Sequence, residues 1–253
     1  MSGSLQLFLA LLVAHLVGDF LVQRPAVVEG RRRGAPWAYA EHGGWHLATL
    51  IVVLALFASR ALEKPSTVAV LVGLVAGHLV VDWSKSRHGQ DLRPGLGFLM
   101  DQAAHALLIT AAWALIVGPR AAGDEITAAW QGVAPHLLVL TAAYLLALPG
   151  AGYLNASLLA RLAHEIGGHD DDGGETLANA GKRIGWLERF LILTAVMVRS
   201  PTGVGLVLAA KSVFRFEEAR HGRRAAEYFL IGTFLSVSEA VLVGLGALRL
   251  LGR

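Results

Sequence analysis

Apolar residues in this chain arrive in long unbroken runs, and a run of about 20 such residues has one stable fold in lipid, an α-helix crossing a hydrocarbon layer of about 30 Å. Bounded by Pro, Gly or charge, the runs fall near residues 4–23, 43–62, 66–85, 97–117, 130–150, 185–199, 201–217 and 226–250. Their continuity excludes a β-barrel, whose strands alternate. Composition excludes a soluble globule: the 253 residues are 55% hydrophobic and 16% charged, with mean hydropathy +0.54, where soluble domains are about a quarter charged. The expected fold is an all-α polytopic transmembrane bundle of seven or eight spans. The count turns on residues 185–217, which Arg199, Ser200 and Pro201 divide into two short spans or a re-entrant hairpin. One transmembrane domain is expected over 1–253, with a four-helix half at 1–120 and a second half at 121–253. A polar loop at about 161–185 holds the run from Gly167 to Gly174. No internal repeat is visible.

Lys and Arg set the orientation, because cytoplasmic loops carry the excess. Fifteen of them, among them Arg31, Arg32, Arg33, Lys85, Lys211 and Arg215, fall in one set of alternating loops and six in the other. The C-terminal end of the first helix therefore faces the cytoplasm, and eight spans leave both termini outside, in a bacterial inner membrane. The first run contains an acid and lacks a charged leader and a small-residue cleavage site, so it reads as a retained helix. The surplus of Arg31, Arg32 and Arg33 has no interleaved aromatics, which points to anionic lipid rather than nucleic acid.

Within these apolar helices sit three His and Asp pairs spaced i, i+4: His15 with Asp19, His78 with Asp82, and Asp101 with His105. His42 and His46 add a fourth pair at the same spacing. That spacing leaves two side chains about 40° apart on one helical face. Helices one and three run inward with their pairs near their ends, and helices two and four run outward with theirs near their starts, so all four pairs fall at the cytoplasmic leaflet. An unpaired Asp within a span costs about 2.5–3.5 kcal/mol on insertion scales. A divalent ion compensates well, since imidazole and carboxylate suit Zn, Mn or Fe, and the chain has no cysteine for thiolate sites. The ligand set for one or two ions is then His15, Asp19, His46, His78, Asp82, Asp101 and His105. His42 is the weaker member, because Gly43 and Gly44 follow it where the helix should begin. Proton transfer along the pairs and interhelical hydrogen bonding without metal are the alternatives.

The second half adds Glu188, Arg189, Lys211, Arg215, Glu227, Tyr228 and Glu239 at the same depth. Lys211 and Arg215 share a face, either as a seat for an anionic headgroup or as partners of Glu188 and Glu227. With Gln23 and Lys85 they form the expected substrate-binding set. Gly18, Gly77 and Gly232 lie beside polar positions and permit close helix approach. His164-Glu165 with His169 imitates a zinc-protease motif, but the second His falls at i+5 past two glycines.

The segments His15-Leu16-Val17-Gly18-Asp19-Phe20-Leu21-Val22-Gln23, Gly77-His78-Leu79-Val80-Val81-Asp82-Trp83-Ser84-Lys85 and Asp101-Gln102-Ala103-Ala104-His105 resemble the signatures of the bacterial membrane family called domain of unknown function 3307. Ala210-Lys211-Ser212-Val213-Phe214-Arg215-Phe216 and Ala226-Glu227-Tyr228-Phe229-Leu230-Ile231-Gly232-Thr233 resemble the block found in its longer members. The resemblance implies a helical membrane protein and no established activity. A looser likeness to LexA-regulated membrane-bound metal-dependent hydrolases suggests hydrolysis. On this reading one or two metal ions lower the pKa of water and polarise a phosphoryl or acyl oxygen, Asp19 or Asp101 is the general base, and the substrate is a membrane lipid or an anionic small molecule. A di-iron oxidase or hydroxylase and a metal or proton transporter are the alternatives.

Overall fold

The computed structural model describes residues 3–88, 94–118, 135–165, 174–218 and 223–253, and among them every regular element is helical. The chain divides into two compact units, Met1–Leu145 with Arg249–Arg253, and Leu146–Leu248, where the sequence suggests one domain with a midpoint near 120.

The first unit holds α1 (Gly3–Phe20), α2 (Pro25–Arg32), α3 (Pro36–Phe57), a 3-10 turn (Ser59–Glu63), α4 (Pro65–His88), α5 (Pro94–Val117) and α6 (His136–Leu145). α1 is its axis, packed against α3, α5 and α6. Small Ala10 and Ala14, one turn apart and fully buried, allow that approach, and Leu11 and Leu16 fill the space beside them. The far end of α1 is pinned where Trp113 Nε1 donates to Ser4 O at 2.8 Å and Gln6 Nε2 donates to Phe57 O. Proline opens α2, α3, α4 and α5, which suits the first helical turn because its missing N–H is an orphan there anyway.

α2 is a short helix absent from the sequence reading, and it meets α1 at an 85° bend. It packs on α3 and α4: Val27 is buried, and a Cβ on Gly30 would come within 2.7 Å of Ala38 Cβ. Gly34, at φ +73°, turns the chain from α2 into α3, a conformation glycine adopts without a steric penalty.

The second unit holds a π-helical turn (Leu146–Gly150) containing Pro149, α7 (Ala151–Glu165), α8 (Gly174–Met197), α9 (Pro201–Glu218) and α10 (Arg223–Leu250). α8 and α9 pack together through a turn in which Arg199 has φ +56° and Ser200 Oγ accepts from Gly203 N at 3.1 Å. α8 begins eleven residues earlier than the sequence reading placed it, so residues 174–185 are helical rather than loop. Residues 166–173 of that loop, His169 among them, lie outside the described residues.

Five helices are long and apolar enough to cross a membrane: Pro36–Phe57, Pro65–Arg87, Gly95–Val117, His136–Ala160 and Leu230–Leu250. Counting bent α1 and α2 as one broken span makes six. Seven or eight spans are not confirmed, because α8 carries Lys182, Arg183, Glu188 and Arg189, and α9 carries Lys211, Arg215, Glu217 and Glu218. Elsewhere the burial is inverted relative to a soluble protein, with Leu107 and Leu115 over 70% exposed while His42, His78 and His105 are buried. That pattern is compatible with a membrane protein.

Candidate metal centre

All four spaced pairs converge. α1 brings His15 and Asp19, α3 His42 and His46, α4 His78 and Asp82, and α5 Asp101 and His105, with Asp19 near the end of α1 and every other pair within the first unit. The rings pack on one another, with His46 and His78 centroids 3.8 Å apart, His78 and His105 4.3 Å, and His15 and His105 4.9 Å. His42, His78 and His105 are at most 3% exposed.

Asp19 lies among the imidazoles. Its Oδ1 is 3.1 Å from His46 Nε2, 3.4 Å from His42 Nε2 and 3.7 Å from His78 Nε2, while Oδ2 is 3.5 Å from His15 Nε2. His42 and His78 bring their Nε2 atoms within 3.0 Å of each other. Ligands around a tetrahedral zinc ion are separated by about 3.4 Å and those around a six-coordinate ion by about 3.0 Å, given metal–ligand bonds near 2.1 Å. The donor spacings match that range. Three groups fit a cation by proximity: Asp19, His42, His46 and His78; His15, Asp19 and His105; and His78, Asp82 and His105. His15, His46, His78 and His105 also line a small cavity of about 20 Å³, closed on its other side by Leu11, Leu50, Leu74, Val75, Leu108 and Ile109.

The hydrogen-bond ledger points the same way. His15 Nε2 and both ring nitrogens of His105 are buried with no hydrogen-bond partner among the described residues. Buried polar atoms are almost always satisfied, so partnerless imidazole nitrogens facing carboxylates call for an absent partner. A divalent ion suits nitrogens that offer lone pairs.

Around this core stand groups that orient it. Asp82 Oδ2 is 3.0 Å from His42 Nε2 and 3.4 Å from His78 Nε2, and the Arg31 guanidinium pairs with the same oxygen. Gln23 Oε1 accepts from Arg31 Nη2 at 2.6 Å. Asp101 Oδ2 accepts from Lys85 Nζ at 2.7 Å and from Gln102 Nε2 at 3.2 Å, while Oδ1 is 3.8 Å from His105 Nδ1. Asp101 thus lies beside His105 without a hydrogen bond to its ring.

Two residues differ from the sequence reading. Arg31 is buried against Asp82 rather than spread on lipid, because the α1–α2 bend turns α2 across this end of α4. His42 is at the centre rather than in doubt, because α3 begins at Pro36 and continues through Gly43 and Gly44. Gly43 lies against α4, where a Cβ would come within 2.9 Å of the tip of Leu79. The signal for Arg31 was the excess of buried acids over buried cations.

Lys211 and Glu188 form a largely buried ion pair in the second unit, the alternative to a headgroup seat. The Arg215 side chain and that of Tyr228 lie outside the described residues, and Glu227 is exposed. Arg189 is buried, with Nη1 donating to Ser236 Oγ at 3.2 Å and Nη2 to Leu148 O at 3.0 Å, and Asn155 Nδ2 donates to Glu239 Oε2 at 2.8 Å. His164 is on α7, without a described side chain.

The family model for proteins of unknown function DUF3307 matches residues 7–134, just over half of the chain. The match takes in all four pairs, Gln23, Arg31 and Lys85 and ends before the segments around Lys211 and Glu227. No curated protein and no solved structure matches the chain. The looser likeness to membrane-bound metal-dependent hydrolases finds no support in these comparisons. Its matched length and the position of every spaced pair within it establish that this chain belongs to the DUF3307 family.

Proposed function

We propose that the chain is a metal-dependent integral membrane hydrolase with its centre at the cytoplasmic leaflet of a bacterial inner membrane, acting on a phosphoester or acyl substrate. The observation that carries this reading is the convergence of five imidazoles on Asp19 and Asp82 at ligand-like spacings, with ring nitrogens left partnerless. His15, His42, His46, His78, His105, Asp19 and Asp82 would hold one or two divalent ions, which would supply Lewis acidity toward a phosphoryl or acyl oxygen and a more acidic water. Asp101, outside the ring of donors, keeps Oδ1 without a hydrogen-bond partner among the described residues, and that oxygen would take the proton. Asp19 faces four imidazoles, which favours it as a ligand over a base.

The orientation rests on the Lys and Arg surplus. Six spans, like eight, are an even number and keep both termini on the outer side, with α8 and α9 as a hairpin between the last two spans. A di-iron oxidase would use the same donors. A transporter is less well supported, because the pairs gather at one depth instead of spacing along a path.

Elemental analysis of detergent-purified protein, followed by assay of the metal-replete form on phosphoester and acyl lipids, tests the proposal. About one or two equivalents of zinc or manganese and chelator-sensitive hydrolysis are expected. Iron as the native metal supports the oxidase. No metal retained, even after supplementation, overturns the centre.

A further inference from the structure

The centre's own charges leave a gap that indicates the substrate. Asp19, Asp82 and Asp101 supply three carboxylates, and the described side-chain cations that touch them are Arg31 and Lys85. One divalent ion would convert the deficit of one positive charge into a surplus of one, and two ions would leave a surplus of three. Burying unbalanced charge is costly. An anionic group entering beside the ions restores the balance.

Arg31 is placed to meet such a group. It is 9% exposed, held by α2 in a rigid packing against α3 and α4, and its guanidinium lies one carboxylate away from His42 and His78. Nη2 is steadied by Gln23 Oε1, the backbone is steadied by Tyr39 Oη, which donates to Arg31 O at 3.2 Å, and Nε is buried without a partner among the described residues. A donor that is buried and unpaired is costly unless something occupies it. Lys85 marks the open side: its side chain is 44% exposed, while the Asp101 carboxylate it reaches is 4% exposed.

We infer that Arg31 is the oxyanion-recognition residue of this site and that its substrate carries a phosphate, either on a lipid headgroup or on a small soluble molecule. This rests on the metal-centre reading. A phosphate has enough oxygens to face the ions and the guanidinium together, and with Nη1 on Asp82 and Nη2 on Gln23 it is Nε that is left to donate to one of them. Gln23 positions the fork, and Lys85 lies on the approach.

The test measures metal content together with binding of inorganic phosphate and, in a separate arm, of short-chain phosphatidic acid in detergent, for the full chain and for Arg31→Gln and Arg31→Lys. The wild-type protein is expected to bind phosphatidic acid. Binding of inorganic phosphate as well identifies phosphate alone as sufficient, and its absence identifies a lipid headgroup. Both variants should keep the wild-type metal content and bind about 10- to 100-fold more weakly. Arg31→Lys retains a cation opposite Asp82 and so serves if Arg31→Gln does not fold. Unchanged binding in the variants, or loss of metal in step with phosphate, overturns the role of Arg31, and so does a wild-type protein that binds neither probe. A wild-type protein without metal overturns the centre instead, and Arg31-dependent phosphate binding in that protein upholds this inference on its own.

Discussion

Gly18 and His46 touch so closely that a Cβ on Gly18 would lie 2.6 Å from His46 Cε1 and 2.9 Å from its Nε2. The glycine before Asp19 is therefore what lets α1 bring that carboxylate to the imidazole of α3. Gly18→Ala must displace the ring, at a cost of about 1–3 kcal/mol for an overpacked site. Metal content should fall sharply. Gly77→Ala is the control, since its Cβ would meet only the flexible tip of Leu108 at 3.3 Å; it should insert, purify and bind metal as wild type does.

His42→Ala should cost as much metal as His46→Ala. Both rings present Nε2 to Asp19, at 3.4 and 3.1 Å. Titration of apo-protein with zinc would show near-complete loss in each, whereas Lys85→Met, which removes only the cation paired with Asp101 beside the donors, should weaken affinity by about 10- to 100-fold at most. A His42→Ala protein with normal affinity would remove that residue from the ligand set.

Asp82→Asn keeps the shape and the hydrogen-bonding capacity of the side chain and removes its charge. If no ion is held there, the change strands the buried guanidinium of Arg31 and lowers stability by about 3 kcal/mol with no metal to lose. If the oxygen facing His42 and His78 serves an ion, Asp82→Asn and His78→Ala both empty the site while the protein still inserts. Elemental analysis of the two variants decides between them.

In the second unit, Lys211→Met should lower the thermal stability of detergent-purified protein by about 3 kcal/mol, because it strands the buried carboxylate of Glu188. Adding Glu188→Gln should restore most of the loss, giving a strong coupling term in a double-mutant cycle. Additive effects would free Lys211 for some other role.

The convergence of the spaced pairs was legible because helical periodicity is strong over 20 apolar residues, so a spacing of four fixes a shared face. Arg31 was hidden by its setting: three consecutive arginines read as a membrane-surface run until α2 turns one of them inward. Eight residues containing three charges carry too little periodicity to announce a helix. His42 was discounted for its two following glycines, and only the packing of α3 on α4 shows what the first of them, Gly43, lies against. The expected span count exceeds the five or six helices long and apolar enough to cross, because the apolar stretches of α8 and α9 continue into charged turns of the same helix.

The prolines that open α3 and α5 turn the site into a matter of counting. Pro36 stands six residues before His42, and Pro94 seven before Asp101, and each residue of α-helix rotates the chain by about 100°. One residue deleted between Pro36 and His42 would swing both imidazoles of α3 away from Asp19 without altering a single ligand. Evolution can lengthen or shorten the turn at Ser59–Glu63, but between each proline and its pair the chain tolerates substitution far better than insertion, and gaps in alignments of relatives should avoid those two intervals.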